Sequence, residues 1–406
     1  MRRRFQATHL ALLQARRLAS FRLVGTSERG RSARLRDSGR AGDGPGVQDA
    51  QNGRMTLPGF PVGTTWSHTW AGRLEQRTVL GEALRGNPLG DPHERPVWVQ
   101  LPASYDDDPG ARYPVVYVAQ GYTGHVSMWA NRRAYANTLP EQVDALLARS
   151  DVPPVLVVYL DAWTSYGGSQ FVDSPGTGDY CTYVSDDVVG FVDGEYRTVA
   201  DPRSRAVAGK SSGGFAAMLL PVLRPDVFAG GLATHAGDAL YEGCYLSEHG
   251  KVVRALRRFD ADPHAWWADF VARGEAQPHP DDMLLLLQYG CSAAFTPGED
   301  LRPVLPFDTR TGKLDDDLWS RWLTLDPVRM APAAGEVLRS LSAIWVDAGT
   351  RDEWYLDLGA EAYVQELRTV GVSQDVLHHE TYDQTHAVPT SQYVNALRYL
   401  AERLPR

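Results

Sequence analysis

The chain has 406 residues, 43% of them hydrophobic and 22% charged, with a formal net charge of −9. That length and apolar content suit one large α/β domain with an insertion, or two average domains, around a substantial core. Residues 1–54 hold twelve Arg, no Lys and four acidic residues, a net of +8, so the total leaves −17 for residues 55–406.

So acidic a body argues against nucleic acid as the main partner, because phosphate binding rests on clustered Lys and Arg. No apolar run approaches the ~20 residues of a membrane-spanning helix, so no membrane partner is expected. Cys181, Cys244 and Cys291 are too few and too scattered for a disulfide framework or a zinc site. They read as buried thiols in a reducing compartment, which implies the cytoplasm.

The first 54 residues stand apart. "MRRRFQATHLALLQARRLASFRL" is Arg-rich and roughly amphipathic, as a transit peptide is, but it lacks the apolar stretch of a secretory signal. The rest of it has a disordered composition. The alternative is an over-long gene product whose real start is Met55. On either reading the domain that carries the chemistry runs from 55 to 406.

From about residue 70 the pattern becomes regular. "RTVLGEAL" and "RPVWVQLP" are short β-rich runs separated by the turn cluster "RGNPLGDPHE". "YPVVYVAQG" is a continuous apolar run, as expected of a strand buried on both faces. "PPVLVVYLDA", "SRAVAG", "GGLATHAGD", "LSAIWVDAG" and "DVLHHETY" repeat that character. Helical patterns over 134–149, 214–223, 359–370 and 389–403 separate them. "SDDVVGFVDGEYRT" is expected to begin another helix, with Ser185 and the following Asp residues as cap and first turn. Buried strands alternating with helices predict an α/β fold, with a mostly parallel sheet covered on both faces.

The stretch from about 240 to 335 breaks the alternation. It is rich in Trp, Leu and charge and too long for a loop, so it is expected to be an inserted helical cap. Trp266, Trp267, Trp319 and Trp322 lie in or beside its helix-like runs. They either shape a pocket or pack the cap onto the body, and packing is the simpler role.

"AVAGKSSGG", residues 206–214, admits two incompatible chemistries. Gly209-Lys210-Ser211 resembles the end of a phosphate-binding loop, G-x-x-x-x-G-K-[ST]. The first glycine of that pattern is replaced by Ser204, and the apolar run Ala206–Ala208 leads straight into Gly209, leaving no chain to wrap a phosphate. The same residues fit G-x-S-x-G, a sharp strand-to-helix turn that presents a serine nucleophile and needs small neighbours. Gly209, Ser212, Gly213 and Gly214 supply them.

A serine hydroxyl needs a base, and the base needs an acid to orient it. On this fold the chain order is Ser, then Asp or Glu, then His. Asp352 follows "LSAIWV" and His386 follows the last strand pattern, so Ser211, Asp352 and His386 fall in that order. Rival acids are Asp347, Glu353 and Asp238, and the rival histidines are His378 and His379. For the oxyanion hole, one backbone N–H comes from the residue after the nucleophile, Ser212. The other is expected from the glycine turn "VAQGYTG", at Tyr122, where Gly121 allows close approach.

With these residues in place the chain resembles the bacterial esterase family of α/β-hydrolases, which includes S-formylglutathione hydrolases, enterochelin esterases, feruloyl esterases and mycolyltransferases. The resemblance is carried by "RPVWVQLPASYDDDPGARYPVVYVAQGYTG", "YGGSQFVDSPGTGDYCTYVSDDVVGFVDGEYRT", "RAVAGKSSGGFAAMLL", "DAGTRDEWYL" and "DQTHAVPTSQY". It implies an α/β-hydrolase fold and a serine hydrolase with Ser211 as nucleophile, His386 as base and Asp352 as orienting acid, without metal or organic cofactor. Relatives often carry His-Gly in the first oxyanion loop, where this chain has Gln120-Gly121.

The expected activity is hydrolysis of a small-molecule ester or thioester through an acyl-enzyme. Acyl transfer on the same fold and a non-catalytic binding scaffold are the alternatives, and a homo-oligomer is left open. The acidic runs Asp106–Asp108 and Asp315–Asp317 lack the spacing of a calcium loop and are expected to be solvated turns.

Overall fold

A computed structural model of the protein describes residues 68–132, 136–274 and 277–406. The Arg-rich segment 1–54 and Met55 lie outside the described residues. The strand Val115–Ala119 (β3) shows why a sheet forms: all five residues of "VVYVA" are buried. Alternate side chains point to opposite faces, so Val115, Tyr117 and Ala119 join one apolar cluster while Val116 and Val118 join the other. A strand of this kind is stable only with cover on both sides.

Seven further strands flank it: β1 (Arg73–Leu80), β2 (Glu94–Leu101), β4 (Leu156–Tyr159), β5 (Arg205–Ser211), β6 (Gly231–Gly237), β7 (Ala343–Gly349) and β8 (Leu377–Tyr382). Their spatial order is β1-β2-β4-β3-β5-β6-β7-β8. β1 and β2 pair antiparallel, as do β2 and β4, and every other pairing is parallel. The chain leaves β3 for β4 on one side and then returns past it to β5 on the other. The carboxyl ends of β3 and β5 therefore flank a switch point, where open α/β sheets place their ligands.

Helix α1 (Leu139–Leu147) begins at a capping box. Thr138 Oγ1 accepts from the Glu141 amide, and the Glu141 carboxylate accepts from the Thr138 amide at 2.8 Å. This cap and Pro140 place the start five residues later than the periodic pattern suggests. α2 (Ser212–Leu223) follows β5, α5 (Leu356–Thr369) follows β7 and α6 (Thr390–Ala401) follows β8. Phe215 and Leu219 of α2 share one cluster with Tyr363 and Leu367 of α5. Val143 and Leu146 of α1 share the other with Leu397 and Leu400 of α6.

Between β6 and β7 the chain is mainly helical, including α3 (Pro263–Arg273) and α4 (Asp282–Phe295). Of its tryptophans, Trp266, Trp319 and Trp322 are buried. Trp267 is half-buried and stacks on Tyr289 at 5.4 Å. Asp326 ties the start of this segment to its later part by accepting from the amides of Leu240 and Tyr241 at 3.0 and 2.9 Å.

Two local expectations are corrected. "GEAL" does not continue the first strand, since β1 ends at Leu80 and Glu82–Leu84 form a 3-10 turn that buries Leu84. A side chain at Gly81 would meet the Tyr183 ring at 2.8 Å, so the chain turns there. Ser185 and the acids after it do not cap a helix either. Helical backbone starts at Tyr180 and runs as a π turn over Tyr183–Val188 before continuing to Glu195. The cap comes from farther back: Asp173 accepts from the Thr182 amide and hydroxyl at 2.9 and 2.7 Å.

His235 of β6 and Asp347 of β7 are direct register partners, and both are fully buried. Asp347 accepts from His235 Nδ1 at 2.8 Å, from Trp345 Nε1 at 2.6 Å and from the Tyr382 hydroxyl at 3.0 Å. Removing this acceptor orphans two buried donors, His235 and Trp345, and the half-buried Tyr382 hydroxyl. Asp347→Ala is expected to cost about 3 kcal/mol or more of stability. The check is chemical denaturation, where the midpoint should fall with little change in slope.

Candidate active site

Ser211 ends β5 and caps α2 in a conformation that non-glycine residues avoid, with φ 58° and ψ −127°. The strain is held by contacts that only glycine permits. A Cβ on Gly209 would lie 2.3 Å from the Gly213 carbonyl oxygen, and one on Gly213 would lie 2.3 Å from that of Ala119. One on Gly214 would meet the Gly237 Cα at 2.7 Å. The first turn of α2 is thus wedged between the ends of β3 and β6. Amides of a first helical turn have no intrahelical acceptor, so the Ser212 amide is among the donors the turn leaves open.

The loop after β3 reaches the same spot. A Cβ on Gly121 would stand 3.5 Å from the Ser211 Cβ. The Tyr122 amide has no acceptor among the described residues. Its ring packs against Gly167, Gly168 and Gly290. Its hydroxyl serves the carbonyls of Tyr166 and, at 2.7 Å, Leu286 in α4. Burial pushes this phenol well above its ordinary pKa, so it remains a neutral donor.

The same loop is fastened to the chain after β4. The Thr123 amide donates to the Gly167 carbonyl at 2.8 Å, and the Val126 amide donates to Asp161 at 3.0 Å. Asp161 is itself ion-paired with buried Arg95. Gln120, the departure from His-Gly, is buried, and its amide fits with nitrogen toward the Leu160 carbonyl at 3.0 Å and oxygen toward the Trp163 amide at 3.3 Å. It secures the loop from behind.

On the other side, His386 Nδ1 lies 2.7 Å from Asp352 Oδ2. The other oxygen of Asp352 accepts from the Trp354 amide at 2.9 Å. A proton on Nδ1 directed at this buried carboxylate leaves the lone pair on Nε2. The strand end and the histidine loop are closely fitted, since a Cβ on Gly349 would lie 2.4 Å from the Gln384 carbonyl oxygen. Glu353 is exposed and accepts from the His386 backbone amide at 2.8 Å.

Asp352 and His386 are therefore brought together, and so are Ser211, Ser212 and the Tyr122 loop. Ser211 and His386 form no hydrogen bond. The Ser211 hydroxyl instead makes a long 3.5 Å contact with Asp238 Oδ1. Among the rivals, Asp347 is committed to His235. His378 stacks on Trp345 at 3.8 Å, and the His379 ring lies 3.8 Å from Glu361. Two residues exceed what the sequence pattern offers, namely Glu353 as a holder of the His386 backbone and Asp238 as a neighbour of Ser211. Asp238 carries a signal only as a carboxylate one strand too early. Among the described residues no group of three or more His, Cys, Asp or Glu is arranged to hold a metal ion.

Comparison with known proteins agrees with this architecture. The profile of the Esterase family, described as "Putative esterase", matches residues 91–387. An uncharacterized protein of Corynebacterium glutamicum is 23% identical over 134 residues, which is 33% of this chain and 30% of that protein. The chain thus aligns with under a third of the length of that relative. Among solved structures, a ferulic acid esterase superposes with a TM-score of 0.52 at 16% identity, covering 83% of this chain and all of that one. FphF, a fluorophosphonate-binding serine hydrolase of Staphylococcus aureus, gives 0.50 at 10% identity, covering 82% and 99%. At these identities the likeness is one of fold, the α/β-hydrolase fold, and no helix among the described residues is long and apolar enough to cross a membrane. The family match spans most of the chain, and on that ground this protein belongs to the Esterase family.

Proposed function

We propose that the protein hydrolyses a small-molecule ester or thioester through an acyl-enzyme on Ser211, with His386 as general base and Asp352 as the acid that orients it. The observation that carries this reading is the strained Ser211 turn, set at the sheet end where the bonded His386–Asp352 pair also lies. Strain of this kind persists only where the surroundings enforce it, and here three glycine contacts do. The reading requires the Ser211 hydroxyl to turn from Asp238 toward His386 Nε2. Catalytic hydrogen bonds are often long in a free enzyme and tighten only with substrate.

In this mechanism Ser211 Oγ attacks the carbonyl carbon while its proton passes to His386. The imidazolium that forms is stabilised by Asp352. The oxyanion takes hydrogen bonds from the amides of Tyr122 and Ser212, where one donor typically lowers the barrier by ~3 kcal/mol. Collapse expels the alcohol or thiol with the proton from His386, and water then repeats the sequence. Three unpaired, buried cysteines support a reducing compartment and hence the cytoplasm.

The test is hydrolysis of p-nitrophenyl esters of increasing chain length. Ser211→Ala is expected to lower kcat by about 10⁴-fold or more, with loss of the initial burst. Turnover indifferent to this change would sink the reading.

The two neighbouring carboxylates give a second expectation. Asp352→Asn should lower kcat by about a thousandfold or more, whereas Glu353→Gln, which alters only a backbone acceptor, should cost less than about tenfold. Equal losses in steady-state kinetics would contradict the assignment of Asp352.

A further inference from the structure

Beside the nucleophile stands a carboxyl group that neither the base pair nor the oxyanion amides employ. Asp238 follows β6 and is 5% exposed. Its Oδ2 accepts from the Ser212 hydroxyl and the Tyr245 hydroxyl, both at 2.8 Å. Its backbone amide donates to the Ser211 carbonyl at 3.3 Å. Its Oδ1 has one donor among the described residues, the Ser211 hydroxyl at 3.5 Å. The titratable groups around it are His386, Asp352, Tyr241, Cys244, Tyr245 and Cys291. Of these only a protonated His386 carries positive charge.

We propose that Asp238 sets the lifetime of the acyl-enzyme, because its Oδ1 is served by the free Ser211 hydroxyl and is opposed by the ester oxygen that replaces it. The inference rests on Ser211 being the nucleophile. In acylation the bond from Oγ to the acyl carbon forms and the bond to the alcohol or thiol breaks. The serine proton leaves with that group through His386. Oγ is then an acceptor only, so a buried carboxylate oxygen loses its donor and faces another oxygen. In deacylation water bonds to the acyl carbon and gives its proton to His386. The Oγ–carbon bond then breaks toward Oγ, which recovers that proton and its contact with Asp238. The cost to the acyl-enzyme is relieved as the ester opens, so the carboxylate speeds deacylation.

Asp238→Asn places an N–H donor within reach of the ester oxygen while its carbonyl can still accept from Ser212 and Tyr245. It is expected to lengthen the acyl-enzyme lifetime about tenfold or more relative to acylation. Asp238→Ser, which removes the opposing oxygen but also the carboxylate acceptor of the Ser212 and Tyr245 hydroxyls, should lengthen it less. Stopped-flow release of p-nitrophenol from esters of several chain lengths gives acylation from the burst and deacylation from the steady state. Intact mass after an acid quench reports the adduct on Ser211. A longer-lived adduct in both variants, graded in that order, supports the proposal. Acylation and deacylation falling by the same factor, or an adduct no longer-lived than in the unaltered protein, would overturn it alone. Turnover that survives Ser211→Ala, or failure of every ester to acylate Ser211, would overturn the nucleophile assignment and this proposal together.

Thermal melting separates these outcomes from misfolding. Burial pushes the Asp238 carboxyl above the ordinary range of aspartate. A carboxyl raised in the folded state contributes stability while protonated and loses it as pH rises through its folded value, so at pH above the ordinary aspartate range it costs stability. Asp238→Asn should therefore raise Tm near neutral pH, and less so at pH below the aspartate range. A variant that melts lower near neutral pH would show that the carboxylate is there to hold the fold, and would overturn the proposal.

Discussion

The arrangement depends on one backbone conformation, the positive φ of Ser211. A residue forced there lifts its side chain out of both the strand and the helix that meet at it. The sheet holds it by denying space rather than by adding bonds. Gly209, Gly213 and Gly214 let α2 approach the ends of β3 and β6 more closely than any side chain would allow. The turn cannot relax without moving a helix that is buried along most of its length. The strain is local, and the restraint comes from the whole centre of the sheet.

Electrostatics complete what sterics begin. The helix N-terminus and the open amides of the β3 loop concentrate positive potential on one side of Ser211. Carboxyl groups stand close by, with Asp352 against His386 and Asp238 against the serine and the Ser212 hydroxyl. Backbone donors and acids together would let negative charge grow on the substrate while positive charge grows on the imidazole. Asp347 looks similar in sequence but belongs to a different layer. Its three donors keep it inside the sheet, where it holds β6, β7 and β8 together.

Much of this was legible in the chain. The central strands follow from continuous apolar runs, because a sheet covered on both faces needs them, whereas the edge strands β1 and β8 carry polar, partly exposed residues. The serine turn follows from small residues placed where only small residues fit. The pairing of Asp352 with His386 follows from chain order, which the parallel topology dictates. What stayed hidden depends on contacts between distant segments. Ser185 looked like a cap because acids follow it, yet Asp173 supplies the cap after a turn no local pattern announces. Glu353 and Asp352 are neighbours in sequence, and only the path of the 384–386 loop decides that one meets the ring and the other the backbone. The position of Asp238 depends on how tightly β6 ends against the serine turn, which is a matter of ångströms.

The Tyr122 hydroxyl gives the architecture a mechanical character. It joins the turn beside Ser211 to the carbonyl of Leu286 in α4, and Gly290 in the same helix leaves no room for anything but that hydroxyl. The helix cannot swing clear as a hinged door without drawing that loop along. A substitution that reseats α4 would therefore be felt at the turn beside the serine, through one phenol.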